Sequence, residues 1–286
     1  MKHSVAHIIN PFVASGDSDL IFAQPITFET MRKARELAKG VIEVELLAAC
    51  FEEDAKIVPS YFQKTHFLKA SVLDKSTFNS KIKLPLLKDI LEKAINASTA
   101  EYIIYSNVDI ALYPNFYLKI NDWINHGFDA IIVNRKRIKP IYTKPEQIEL
   151  MLKVPGKSHP GFDCFVFHRS IFEKMELEDI CIGVPFIEIT FSQNLFHLAK
   201  KYKLVKSGEH TFHLGMEIFK NRAPKEYYDY NKKEYKKAIL KLDHHLGLGN
   251  LPFGNIWLPF RIIRWGLHPC IPIRLALKLV WKKWFH

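Results

Sequence analysis

Acidic residues are absent from the last stretch of this 286-residue chain. Between Leu251 and His286 there is no Asp or Glu, while Arg261, Arg264, Arg274, Lys278, Lys282 and Lys283 supply six positive charges toward a formal net charge of +11. Cysteine is also scarce. Cys50, Cys164, Cys181 and Cys270 are far apart and form no C-x-x-C pair, which excludes a disulfide framework or a sequence-evident zinc site and suits a reducing compartment. No apolar run reaches the roughly 18 to 20 residues that a membrane-crossing helix needs. The first apolar run breaks at Asn10-Pro11, so it reads as a poor signal peptide, and a cytoplasmic protein is expected. No internal repeat and no nucleic-acid-binding motif is visible. With 48% hydrophobic and 25% charged residues, the chain is globular rather than disordered.

The most informative stretch present is Tyr102-Ile103-Ile104-Tyr105, which stops at Ser106-Asn107-Val108-Asp109 before the chain turns and restarts at Pro114. A buried parallel strand looks like this when it delivers a carboxylate to its C-terminal edge, and open α/β sheets bind ligands there. An Asp capping a turn before a proline gives the same local pattern. Upstream, Val5–Ile9 reads as a first strand ending at Asn10-Pro11-Phe12. Residues 27–39 have helical spacing, with Phe28, Met31, Ala34, Leu37 and Ala38 on one face and Thr27 or Thr30 as caps. Val44–Phe51 reads as a second strand, Glu52-Glu53-Asp54 as a solvated loop, and Leu84–Ala97 as a helix. Downstream, Phe116–Asn125 is a helix and Ala130–Val133 a strand. Alternating strands and helices predict an α/β fold, a mostly parallel Rossmann-like sheet flanked by helices.

Past residue 133 come the basic cluster Arg135-Lys136-Arg137, a short helix over 144–153 and a turn-rich loop, Gly156–Asp163, holding His159. A strand at Cys164–Phe167, a helix from Ser170, a long helix over 189–202, a short strand at Leu204-Val205 and a last strand about 209–215 with His210 and His213 follow. Residues 225–243, rich in Tyr and Lys, read as a surface helix.

In order along the chain, Asn107-Val108-Asp109, His159-Pro160-Gly161-Phe162-Asp163, Glu188 and His213 resemble bacterial glycosyltransferases of the GT-A fold, those that build surface polysaccharides such as O-antigen or capsule. The resemblance spans about residues 4–216. It implies a GT-A-like domain over 1–222 and transfer of a sugar from a nucleotide-diphosphate sugar to a saccharide acceptor, one carried on lipid. It also implies a divalent cation, Mn²⁺ or Mg²⁺, held by Asp109 and His213, with His210 as the alternative to His213. Glu188, heading a helix, is then the base, with Asp163 the other catalytic carboxylate. Asn10, Asn107, Arg135, Arg137 and His159 fall to substrate binding, the two arginines at the diphosphate. The chain departs from the family pattern at Asn107, where Asp is more usual; an amide can still hydrogen-bond a hydroxyl.

The acid-free tail holds Trp257, Trp265, Trp281 and Trp284, four of five tryptophans. Ile273, Leu277, Val280 and Trp284 share a helical face beside Arg274, Lys278 and Lys282. This pattern fits a helix lying in an anionic membrane interface and makes 223–286 a basic, membrane-associating region on the inner face of the cell membrane. Between Pro252 and Pro272 the expectation is an irregular run. Nucleic acid is excluded as partner because the charge lies among Trp, Leu and Ile. A nucleotidyltransferase would want a Gly-rich basic loop after strand one, which Asn10-Pro11-Phe12 is not. A peripheral membrane scaffold with the fold but no chemistry is the non-enzymatic alternative.

Overall fold

The computed structural model describes residues 2–14, 16, 18–206, 209–214, 223–242, 251–268 and 271. Its strands are β1 (Ser4–Ile9), β2 (Glu43–Ala48), β3 (Gln63–Lys64), β4 (Tyr102–Ser106), β5 (Ile110–Leu112), β6 (Ala130–Ile138), β7 (Lys157–His168), β8 (Tyr202–Val205) and β9 (Thr211–Leu214). Its helices are α1 (Leu20–Ala38), α2 (Leu87–Ala97), α3 (Phe116–Asn125), α4 (Ile148–Met151), α5 (Ile187–Leu198), α6 (Lys225–Leu242) and α7 (Leu258–Gly266). The strands form one mixed sheet in the order β3-β2-β1-β4-β7-β6-β9-β5, with β8 on the same edge of β6 as β9. The first four pair in parallel, β7 runs antiparallel between β4 and β6, and β6 is parallel to both β8 and β9. This is the α/β sheet flanked by helices that the alternation of apolar runs predicts.

The period of two along each strand sends side chains to two separate cores. Ala6, Ile8, Leu47, Ile103, Tyr105, Ile132 and Phe165 face α2 and α5. Val5, Ile9, Leu46, Ile104, Ile131, Val133 and Val166 face α1 and α3. Because both faces are covered, the strands read as unbroken apolar runs rather than alternating ones. His7 breaks that run. It is fully buried, with Nδ1 2.9 Å from the Tyr117 hydroxyl and Nε2 2.9 Å from Ser106 Oγ, so both ring nitrogens are partnered.

Several boundaries differ from the sequence reading. Helix α1 starts at Leu20 and runs through Pro25; so early in a helix a proline forfeits little more than one bond, here to the carbonyl of half-exposed Ile21. Thr27 and Thr30 are therefore interior, not caps, and Thr30 Oγ1 donates to the Thr27 carbonyl at 2.9 Å. Leu37, placed on the apolar face by its spacing, is 53% exposed. Strand β2 stops at Ala48, and α2 begins only at Leu87 because Leu86 bridges to Cys181. The basic cluster Arg135-Lys136-Arg137 lies inside β6, and the expected Gly156–Asp163 loop is, from Lys157 on, the first half of β7. The two pair antiparallel through register shifts on either side of Asn134, and such irregularity hides a strand from a period-of-two pattern. The helix expected over 144–153 is a 3-10 turn, Pro145–Gln147, running into α4, and that expected from Ser170 is a 3-10 helix, Arg169–Lys174.

Helix α6 is more than a surface helix: Tyr227 and Asn231 are fully buried. The Tyr227 hydroxyl accepts from Ile82 N at 2.9 Å and donates to Ser80 O at 2.6 Å. Asn231 accepts from Cys181 N at 3.0 Å and donates to the Cys181 and Pro185 carbonyls at 2.9 and 3.1 Å. The run between Pro252 and Pro272, expected to be irregular, contains α7, and Trp265 of the tail lies in the core with Nε1 donating to Pro252 O at 2.6 Å. The amphipathic helix expected from Ile273 onward lies outside the described residues.

Burial lowers the His7 imidazole to about 3. The unfolded chain takes up that proton near 6.5 and the native state only near 3. Between those values each unit of acidification therefore costs about 1.4 kcal/mol of stability at this residue. His7→Gln keeps a donor and an acceptor but cannot titrate. Urea unfolding should show the wild type's advantage over this variant narrowing by about 3 kcal/mol from neutral pH to about 4.5. Parallel stability profiles would show that His7 is not buried as a neutral ring.

Candidate active site

The site begins where β4 ends. The chain leaves Ser106, turns with Ile110 N bonded to the Asn107 carbonyl at 3.1 Å, and restarts as β5. Buried Val108 anchors the turn, leaving Asn107 and Asp109 beside the sheet's edge. Strand β5 pairs antiparallel with β9, placing Ile110 opposite His213, and the far end of β6 places Arg137 opposite His213 on the other side. His213 thus reaches Asp109, with Nε2 3.0 Å from Oδ2. His210 does not take that place: its ring lies edge-on to Trp123 at 5.2 Å.

A second group adjoins the first. Arg135 Nη1 pairs with Asp163 Oδ2, both side chains nearly buried. Asn107 Nδ2 donates to Asp163 Oδ1 at 3.3 Å, and the Tyr105 hydroxyl donates to Asn107 Oδ1 at 3.1 Å. Both oxygens of Asp163 therefore face donors from β4 and β6.

The third group is built on the irregular half of β7. The Asn134 amide donates to the carbonyls of His159 and Gly161, and Gly161 N donates to His159 Nδ1 at 2.8 Å. Glu188, in the first turn of α5, accepts from Phe162 N at 2.8 Å through Oε1. Its approach is fixed by Phe186 in the left-handed region at φ 91° and by the grip of Asn231 on residues 181–185. Gly161 allows a close approach: a Cβ there would stand 2.5 Å from Glu188 Oε2 and 2.9 Å from His159 Cε1. His159, Gly161, Phe162 and Glu188 are thus one constellation, joined to the Asp109 group through Asp163.

Burial raises the Asp109 carboxyl, and the His213 imidazole and Arg135 guanidinium more than offset it, holding the group below its ordinary value. Asp109 is accordingly ionised at neutral pH. Burial and then Arg135 lower the His159 imidazole, so that ring is neutral and its Nδ1 is an acceptor. Nε of Arg135, Nε of Arg137 and Nδ1 of His213 are buried without a hydrogen-bond partner. Orphaned donors on two guanidinium groups beside a carboxylate suit an anionic ligand with several oxygens.

Among the described residues no three His, Cys, Asp or Glu side chains gather as a metal cluster. Two converge: Asp109 Oδ2 and His213 Nε2 stand 3.0 Å apart as a hydrogen-bonded pair, and a carboxylate oxygen and an imidazole nitrogen are both groups that bind divalent cations. Carboxylate plus imidazole is a set that Mn²⁺ accepts readily. The acidic triplet forms no such site: Glu53 pairs with Lys83, and Asp54 accepts from Val13 N at 2.7 Å.

Of the residues singled out in the sequence, Asn107, Asp109, Arg135, Asp163 and His213 are brought together, His159 and Glu188 meet at Gly161, and Arg137 lies opposite His213. Asn10 lies where β1 and β2 end, its amide donating to Ala49 O at 2.6 Å. Sequence reasoning missed Tyr105 and Asn134. A polar Asn following Ala-Ile-Ile-Val was a readable signal; nothing local marked the Tyr105 hydroxyl. A separate cleft of about 630 Å³ between α1 and the segment after β2 is lined by Phe12, Val13, Phe28 and Tyr61, not by the Asp109 group.

No protein-family model matches the chain, and no curated protein matches it. Among solved structures it is similar to S. aureus TarS 1-349 in complex with UDP-GlcNAc, with 11% identity over 96% of this chain and 83% of that one and a TM-score of 0.49. It is likewise similar to glucosyl-3-phosphoglycerate synthase from M. tuberculosis, with 12% identity over 85% of this chain and 80% of that one and a TM-score of 0.43. Likenesses this distant assign nothing to the site, and the case for it rests on this chain's own residues.

Proposed function

We propose that this chain is a GT-A-type glycosyltransferase that moves a sugar from a nucleotide-diphosphate sugar to a saccharide acceptor carried on lipid, in the synthesis of a cell-surface polysaccharide. The observation that carries this reading is the Asp109–His213 pair at 3.0 Å, set at the end of a parallel strand with two arginines whose Nε donors are unpartnered. A departing nucleoside diphosphate needs that combination, because negative charge grows on it as the glycosidic bond breaks.

In this reading Asp109 and His213 hold a divalent cation, which supplies neutralisation of the diphosphate. Arg135 and Arg137 add donors at the same anion. Asp163, held by Arg135 and Asn107, is suited to accept sugar hydroxyls and poorly suited to take a proton. Glu188 is then the base: it removes the acceptor hydroxyl's proton as that oxygen bonds to the anomeric carbon and the bond to the diphosphate breaks. His159, neutral and beside Glu188, binds acceptor or donor hydroxyls. Residues 1–222 hold the transferase site, α6 and α7 complete its core, and the region 223–286 also brings the protein to the inner face of the membrane where a lipid-linked acceptor resides.

Calorimetric titration with UDP, GDP, CDP and dTDP, with and without Mn²⁺, should find one nucleotide whose binding requires the metal. Asp109→Ala should weaken it by about 10²- to 10³-fold, the several kcal/mol that metal-centred charge stabilisation supplies. If the folded wild type binds none of the four, the transferase reading falls and a non-catalytic scaffold takes its place.

Gly161→Ala probes the base without removing it. The added methyl meets the movable end of the Glu188 side chain, so folding is little affected while the carboxylate is displaced. Turnover should drop by about 10²-fold, in the range that general-base catalysis contributes, with the melting temperature shifted by only a few degrees. Wild-type turnover in this variant would remove the present position of Glu188 from the mechanism.

A further inference from the structure

Helix α7 presents two faces of opposite character. Its inner face is fastened to the protein: Trp265 is fully buried with its indole donating to Pro252 O, and Leu251 and Ile271 on either side join the same core as the sheet. On the outer face, Trp257, Phe260, Ile263 and Leu267 recur at helical spacing and are 70, 59, 59 and 80% exposed. Trp257 and Phe260 pack ring to ring at 5.8 Å, so the stripe is continuous at its start. Single exposed apolar residues need no explanation, but four in a row on one helix do.

The charges on this segment have one sign. Arg261 lies at its border with Nε and Nη2 donating to Ile256 O at 3.0 and 2.8 Å, and Arg264 lies over the Phe253 ring at 5.7 Å. No acidic residue occurs from 251 to 286, where four further cations follow α7. Among the described residues no helix is long and apolar enough to cross a membrane. An apolar stripe on an anchored helix, bordered by arginine and headed by Trp, complements an anionic bilayer surface: the rings enter the headgroup region while the guanidinium groups meet lipid phosphates. The geometry points to α7 as a membrane-docking element, with its Trp257–Leu267 stripe inserted shallowly into an anionic lipid surface. The inference uses none of the active-site residues and stands apart from the nucleotide titration, so either can fail alone. It makes the folded body of the protein, and not only the segment after it, a membrane contact.

The test uses the full chain with vesicles of phosphatidylcholine alone and of phosphatidylcholine mixed with phosphatidylglycerol. Wild type should co-sediment with the mixed vesicles at least about tenfold better than with the neutral ones. The variant Phe260→Ser, Ile263→Ser, Leu267→Ser, all at exposed positions, should lower that partitioning by about tenfold or more with an unchanged circular dichroism spectrum. Brominated lipid should quench part of the tryptophan fluorescence, and Trp257→Phe should lower that quenching. Undiminished partitioning of the triple variant would overturn the inference and move the contact to the chain beyond residue 271. So would a wild-type dimer that ignores vesicles and that the triple variant turns into a monomer, since a second copy would then cover the stripe.

Discussion

Strand β6 runs past the core that it helps to build, and the site depends on that extension. Its first four residues, Ala130–Val133, pair with β8 and are buried between the two helical layers. The last three, Lys136–Ile138, pair instead with β9 and carry His213 to Asp109. Between them Asn134 and Arg135 sit at the register shifts, so one amide can reach two β7 carbonyls and one guanidinium can reach Asp163. Had β6 ended at Val133, β9 would keep β5 alone as its partner, and His213 would lose one of the two strands that position it.

That extension carries an electrostatic cost, offset within the site. Arg135 and Asp163 are both nearly buried, and taking two charges out of water is repaid only when each finds the other and further donors. Asn107 provides such a donor to Asp163 on one side and is itself held by the Tyr105 hydroxyl. On the other, Nε of Arg135 and of Arg137 remain unpartnered. Buried donors without a partner are rare in a packed core and mark this region as a candidate site.

Support for Glu188 comes from farther away. Asn231 of α6 binds the backbone on both sides of residues 181–185. The rings of Tyr228 and Tyr235 flank Phe186 at 5.1 and 5.5 Å, which stabilises a left-handed backbone conformation that a phenylalanine seldom adopts. Helix α6 is therefore tied to the position of the carboxylate, although nothing in its Tyr- and Lys-rich sequence announces a role. Helix α7 shares this double nature, one face closing the core and the other left open beside a run of cations.

The sequence by itself determined the strands buried on both sides and the helices with one continuous apolar face. Strands β1, β4 and the first half of β6, and helices α2 and α3, show in their apolar runs because each residue's surroundings follow from its own period. It also determined the carboxylate at the end of β4, since an abrupt change from apolar to polar residues is a local property. Tertiary structure alone decided what depends on pairing across long separations. Lys157–Asp163 reads as a loop because its partner, the bulged end of β6, breaks the pattern of two. His213 rather than His210 meets Asp109 because the register of β9 against β5 and β6 selects it. Asn10, equally polar and also at a strand end, donates instead to the Ala49 carbonyl. A side chain's chemistry is written in its residue type, but its partners are set by which strands lie side by side, and that choice belongs to the whole sheet.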